Sequence, residues 1–220
     1  MGLLAAEPTS EIMKIDYQEL QQIITDMDQS YISEYNAKKP SHYGIHEELG
    51  PCPFEGDIEK VVVLILLANP MFSPSSRLTD HSLGNHHAAW GIFSLEPSSN
   101  EGIRTWWTQH LGPLQRMTKL SWRELSNKVA AVQVHTWASE RFDESFKPPS
   151  LILSKQIAKE FATRAQLIVC ARRRAYWQET LCHSSDAKKM IYLKSVRRPY
   201  ISTGNVPDVG FERICSALMG

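Results

Sequence analysis

The stretch Val61-Val-Val-Leu-Ile-Leu-Leu67 runs directly into Ala68-Asn69-Pro70-Met71-Phe72-Ser73. Seven consecutive aliphatic residues are too few to cross a bilayer, and they show no alternation of polar and apolar positions. They predict a strand buried on both faces, as in a parallel sheet. Pro70 ends it, because proline has no N–H to give to a ladder. Ligands in open α/β sheets bind just beyond the carboxyl ends of strands. Asn69 therefore stands either at a site or in a plain strand-ending turn.

Upstream, Ile15 to Tyr35 predicts a helix, with Ile15, Leu20, Ile23, Ile24, Met27 and Tyr31 near one face. Asn36 to Gly56 is a polar, proline-bearing lead-in. Downstream, Pro74 to Pro97 lacks periodicity and predicts a long loop, a length at which loops often carry function. A helix follows from about Glu101 to Met117, bearing Trp106 and Trp107. Ser121 with Glu124 forms a capping box for a short helix. Val129 to Val134 predicts a second strand, and Pro149 suits the first turn of a helix reaching about Thr163. Gln166 to Cys170 is a third strand, followed by a basic helix from Arg172 to Leu181. Lys189 to Leu193 is a fourth strand, and Asp208 is expected to cap a terminal helix through Leu218. This alternation predicts one α/β domain over residues 1–220, a three-layer fold with a central four-stranded parallel sheet flanked by helices.

Composition fits a soluble globular chain: 220 residues, 42% hydrophobic and 22% charged. No apolar run reaches membrane-spanning length, and Met1 to Ala6 is too short for a signal peptide. Ala6 stands where a myristoylation signal needs Ser or Thr. These features predict a cytoplasmic protein without a membrane partner, and a monomer. Cys52, Cys170, Cys182 and Cys215 are scattered with no C-x-x-C pair, which predicts reduced thiols. His81, His86 and His87 lack ligand spacing, so no metal and no other cofactor is expected. The net charge of zero conceals an asymmetry: Lys147 to Arg198 holds twelve Lys or Arg against three acids. A basic face suits a polyanion, and solvated helix faces would give the same count.

Several polar residues fall at strand ends: Asn69, Gln133 with His135, Arg172 and Arg198. Strand ends of a parallel sheet converge on one edge, so these side chains are expected around one pocket. There is no G-x-S-x-G elbow, no Walker A loop and no G-x-G-x-x-G.

On these residues the chain resembles the uracil-DNA glycosylase superfamily. Asn69-Pro70 is similar to the family's first motif, on the loop after the first core strand. Gly91-Ile92-Phe93-Ser94 is similar to the segment carrying its base-stacking phenylalanine. Gln133 stands near the place of its base-reading Asn, and Arg198-Pro199-Tyr200-Ile201-Ser202 near its last, often His-Pro-Ser, motif. The resemblance covers about Pro51 to the C-terminus. Gln for Asn at 133, Arg for His at 198 and Met at 71 depart from the pattern around the pocket.

The resemblance implies a uracil-DNA glycosylase-like fold and a monofunctional DNA glycosylase that flips a base, cuts its N-glycosidic bond and leaves an abasic site. Asn69 would orient the attacking water, and Arg198 would stabilise the departing base anion. Met71, Phe72, Trp90, Phe93 and Gln133 would hold the base. Phe93 would stack on it, unless it is a core aromatic. Gln133 would read its edge, unless its amide serves the backbone. Arg172, Arg173, Arg174, Arg197, Tyr200, Ile201 and Ser202 would grip the DNA, with Tyr200 or Ile201 wedged into the stack. A true base, if there is one, would be Asp80, Asp143 or Glu55. The departures suggest a modified pyrimidine over plain uracil. Glucosylated hydroxymethylcytosine of phage DNA is the concrete instance, which implies antiphage defence. His81, Asn85, His86, His87 and Trp90 would then meet the sugar. The rivals are an inactive glycosylase-like module that binds DNA or protein, and a hydrolase of free nucleosides.

Overall fold

The aliphatic run forms the middle strand of a five-stranded sheet. The computed structural model describes residues 16–70, 72, 90–181 and 185–220. The strands are β1 (Phe54–Glu55), β2 (Val63–Leu67), β3 (Val129–Gln133), β4 (Leu167–Cys170) and β5 (Met190–Tyr192), in spatial order β1-β3-β2-β4-β5. β2 pairs in parallel with β3 and β4, and β4 with β5. The expected all-parallel four-stranded sheet is thus extended by a two-residue antiparallel edge, β1 on β3. Gly56 (φ 119°) allows that edge: a Cβ there would lie 2.4 Å from the Ala130 Cβ.

Every residue of β2, β3 and β4 is buried, because helices cover both faces of the sheet. Side chains alternate between two cores. Leu64, Leu66, Ala130, Val132 and Ile168 meet α1 (Tyr17–Asn36), α4 (Leu151–Arg164) and α5 (Arg174–Leu181). Val63, Ile65, Leu67, Ala131 and Val169 meet α2 (Glu101–Thr118), α3 (Trp122–Lys128) and α6 (Gly210–Met219). The result is three layers.

The N-terminal helix belongs to this core through Leu20, Ile24, Ile32 and Tyr35. Its stripe also contains Asp28, fully buried. This carboxylate accepts hydrogen bonds from Trp137 Nε1 (2.8 Å), Ser150 N (2.9 Å) and Ser150 Oγ, tying α1 to the segment between β3 and α4. The expected capping box at Ser121 and Glu124 is present. Two expectations at helix starts are corrected. Asp208 does not cap α6: it adopts φ 49°, and Val209 is the N-cap residue without a side-chain bond. Arg172 and Arg173 precede α5, because Arg173 at φ 58° is outside the helical region.

β2 has β3 on one side and β4 on the other, so the chain changes direction across it. The topological switch point therefore lies at the carboxyl end of β2.

Candidate functional site

A cavity of about 410 Å³ opens at that edge, in the size range of small-molecule pockets. Three strand ends supply Asn69, Gln133 and Arg172 to its lining. They converge because the ladder continues past the strands. Leu67 is paired with Gln133, His135 N donates to Ala68 O (2.9 Å), and Arg172 N donates to Leu66 O (3.2 Å).

The orientation of the Asn69 amide follows from its partners. Its Nδ2 donates to Ser139 O (3.1 Å), Ser139 Oγ (3.0 Å) and Pro70 O (3.1 Å), and carbonyl oxygens only accept. The Oδ1 is left with no donor among the described residues, free to accept from a water or ligand. Gln133 is buried, and its Oε1 has no hydrogen-bond partner among the described residues. An orphaned buried acceptor costs about 1–3 kcal/mol unless a ligand supplies the donor. The Arg172 Nε is likewise buried and without a partner among the described residues.

The lining also holds a buried carboxyl, Glu55. In the two-residue β1, Phe54 packs on Phe161 of α4 while Glu55 points to the other face and lines the cavity. Its Oε2 accepts the Ser94 N–H at 3.0 Å, and Trp107 and the Ser94 side chain also hydrogen-bond to it. Burial pushes its carboxyl up from 4.5 to about 7 in spite of those donors. Glu55 therefore titrates near neutrality, as a general acid or base does. Cys52, also in the lining, is held as a neutral thiol by its burial and by Glu55.

Aromatic rings complete the walls. Trp106 and Trp107 of α2 meet edge to face at 5.0 Å, and Trp106 stacks on His110 at 3.8 Å. Burial lowers the His110 pKa to about 4, helped by the Arg172 charge, so the imidazole is neutral. Phe142 stacks on His135 at 4.3 Å. The Trp pair and Phe142 had no role in the sequence reading; two adjacent Trp on one amphipathic helix was the available signal.

The remaining expected residues among those described do not join this cavity. Phe93 is 1% exposed and packs in the core near Tyr17 (6.4 Å), so its ring has no face free for a base. Arg198 is exposed and absent from the lining. The turn after β5 is pinned by the Asn205 side chain, which donates to Ser195 O, Arg198 O and Tyr200 O, and β5 lies at the far edge of the sheet. The cationic side chains in the cavity lining are Arg141 and Arg172, of which Arg172 directly follows β4 in the chain after Ala171. Ile201 is 1% exposed and cannot wedge into a base stack. Tyr200 and Ser202 line a shallow surface depression beside α2, and Arg197 is exposed. Phe72 stacks on His46 at 3.4 Å, and Trp90 is half-buried against the α2-side core.

The three consecutive arginines diverge. Arg172 enters the cavity, Arg173 lies over the Phe142 ring (4.7 Å), and exposed Arg174 lies over the Tyr192 ring (4.1 Å). Among the carboxylates, Asp143 is engaged elsewhere, bonded to Lys39 (2.8 Å) and Tyr35 (2.7 Å) and held well below the usual range by them. Met71, Asp80, His81, Asn85, His86 and His87 lie outside the described residues.

Among the described residues, no three His, Cys, Asp or Glu side chains are grouped to hold a metal, and no helix is long and apolar enough to cross a membrane. No family model, curated protein or solved structure matches the chain.

Proposed function

We propose that the protein is a DNA glycosylase that hydrolyses the N-glycosidic bond of a noncanonical base, a modified pyrimidine in preference to plain uracil. The observation that carries this is the orphaned Gln133 Oε1, buried in the lining of a cavity at the sheet's switch point. An acceptor stored without a partner suits a base's donor edge, a ring N–H or the exocyclic amine of a cytosine. The aromatic lining, from Trp106, Trp107 and Phe142, suits a flipped base.

The chemistry divides among four residues. Asn69 holds the attacking water through its free Oδ1, its amide fixed by Ser139. Glu55, poised near neutrality, takes the proton of that water. Arg172 stabilises the negative charge that develops on the leaving base. Gln133 selects the base. The four share one lining.

The test is an abasic-site assay on defined DNAs carrying uracil, mismatched thymine, hydroxymethylcytosine or its glucosylated forms, with Asn69→Ala as control. Cleavage of a modified base that is lost in Asn69→Ala supports the proposal. Tight DNA binding with no abasic product on any substrate would replace it with a binding module.

A further inference from the structure

A second cavity of about 610 Å³ shares Phe142 with the first as a lining residue. It is built from the segment after β3, the first turns of α4 and the start of α5. Three cations, Lys147, Lys155 and Arg173, stand in its lining against one carboxylate, Glu144. That carboxylate is already engaged by Arg173 Nη1 at 2.5 Å. Two further atoms there are buried without partners among the described residues: Arg173 Nε and Tyr176 Oη. Both carry donor hydrogens. Unpaired donors ringed by cations call for an anionic oxygen ligand. The part-exposed rings of Phe142 and Tyr176 stand beside them and offer an apolar edge to a ring.

The backbone points the same way. Arg173 takes a left-handed conformation, φ 58°, that glycine or asparagine adopts at lower cost. The strained residue is the one that lays its guanidinium over the Phe142 ring shared by the two cavities.

We propose that this second cavity is a nucleotide subsite, taking the phosphate and base of a nucleotide that flanks the one entering the first cavity. That the nucleotide belongs to DNA rests on the proposed function; the subsite itself rests on its own donors and rings. Phe142 then lines both sites, with one nucleotide in each.

The probes are dTMP, inorganic phosphate, and a single-stranded oligonucleotide with a central tetrahydrofuran abasic analogue, which leaves the first cavity without a base. Binding is titrated with wild type, Lys155→Ala and Tyr176→Phe. The account expects dTMP to bind more tightly than phosphate and to lose about tenfold in Lys155→Ala, the loss of one charge-assisted hydrogen bond. The oligonucleotide loses a similar factor, and its salt slope falls by about 0.7. Equal dTMP affinity in wild type and both variants, or phosphate binding as tightly as dTMP, overturns the subsite. An oligonucleotide that binds wild type and variants equally removes the cavity from the DNA path and leaves the first-cavity reading standing. An oligonucleotide that fails to bind wild type removes the glycosylase reading, while the dTMP titration still decides the subsite.

Discussion

Replacing Glu55 with Gln separates the charge of this buried group from its shape. A carboxyl whose folded pKa is raised favours the protonated form in the native state. Its stabilising contribution is complete below 4.5 and is lost as pH rises through about 7. Between those values the folded chain binds more protons than the unfolded one, so stability falls with pH. Moving the carboxyl from 4.5 to about 7 costs about 3 kcal/mol at 1.36 kcal/mol per pKa unit. Gln has nearly the same volume and never ionises.

The assay is urea unfolding of wild type and Glu55→Gln at pH 5 and pH 8. His110 and His135, both lowered to about 4 mainly by burial, add an opposite slope below their unfolded value, and it cancels in the difference between the two proteins. Tyr17 and Cys52, the other titratable neighbours of Glu55, are raised by burial and stay neutral across the window. The stability of Glu55→Gln relative to wild type is expected to rise by about 3 kcal/mol from pH 5 to pH 8. The same variant is expected to lose excision, and wild-type excision to climb with pH through about 7, because the base form does the work. A stability difference that does not change with pH would refute the reasoning.

Asn69→Ala is expected to lower the single-turnover excision rate by at least about a hundredfold with little change in DNA affinity, read by gel-shift beside the rate. Gln133→Leu removes the orphaned acceptor and should stabilise the fold by about 1 kcal/mol in urea while lowering base discrimination. Asp28→Ala leaves Trp137 and Ser150 donors unpaired in the core and should cost about 3 kcal/mol, read as a shifted denaturation midpoint. Gly56→Ala, strained at φ 119° and overlapping Ala130, is expected to destabilise by at least about 2 kcal/mol in the same assay.

The parallel core was legible because burial on both faces leaves uninterrupted aliphatic runs, as at Val63–Leu67. β1 was not: two residues, Phe54 and Glu55, give no periodicity to read. The same brevity hid the rank of Glu55 among three carboxylates, because its pKa is raised by burial under elements distant in sequence, against the downward pull of Ser94 and Trp107. Strand ends marked Asn69, Gln133 and Arg172 correctly as neighbours, since parallel strands bring their carboxyl ends together. Arg198 failed by the same rule, because its strand lies at the edge and its turn is held by Asn205. Phe93 carries the local pattern of a stacking ring, yet burial depends on what packs over it, which a four-residue pattern does not encode.

The most direct measurement is mass spectrometry of the small molecules released by excess protein from DNA containing glucosylated hydroxymethylcytosine, hydroxymethylcytosine or uracil. The account predicts a free modified base, one abasic site per base released, and neither product from Asn69→Ala. Intact DNA from every substrate, or release undiminished in Asn69→Ala, would contradict it.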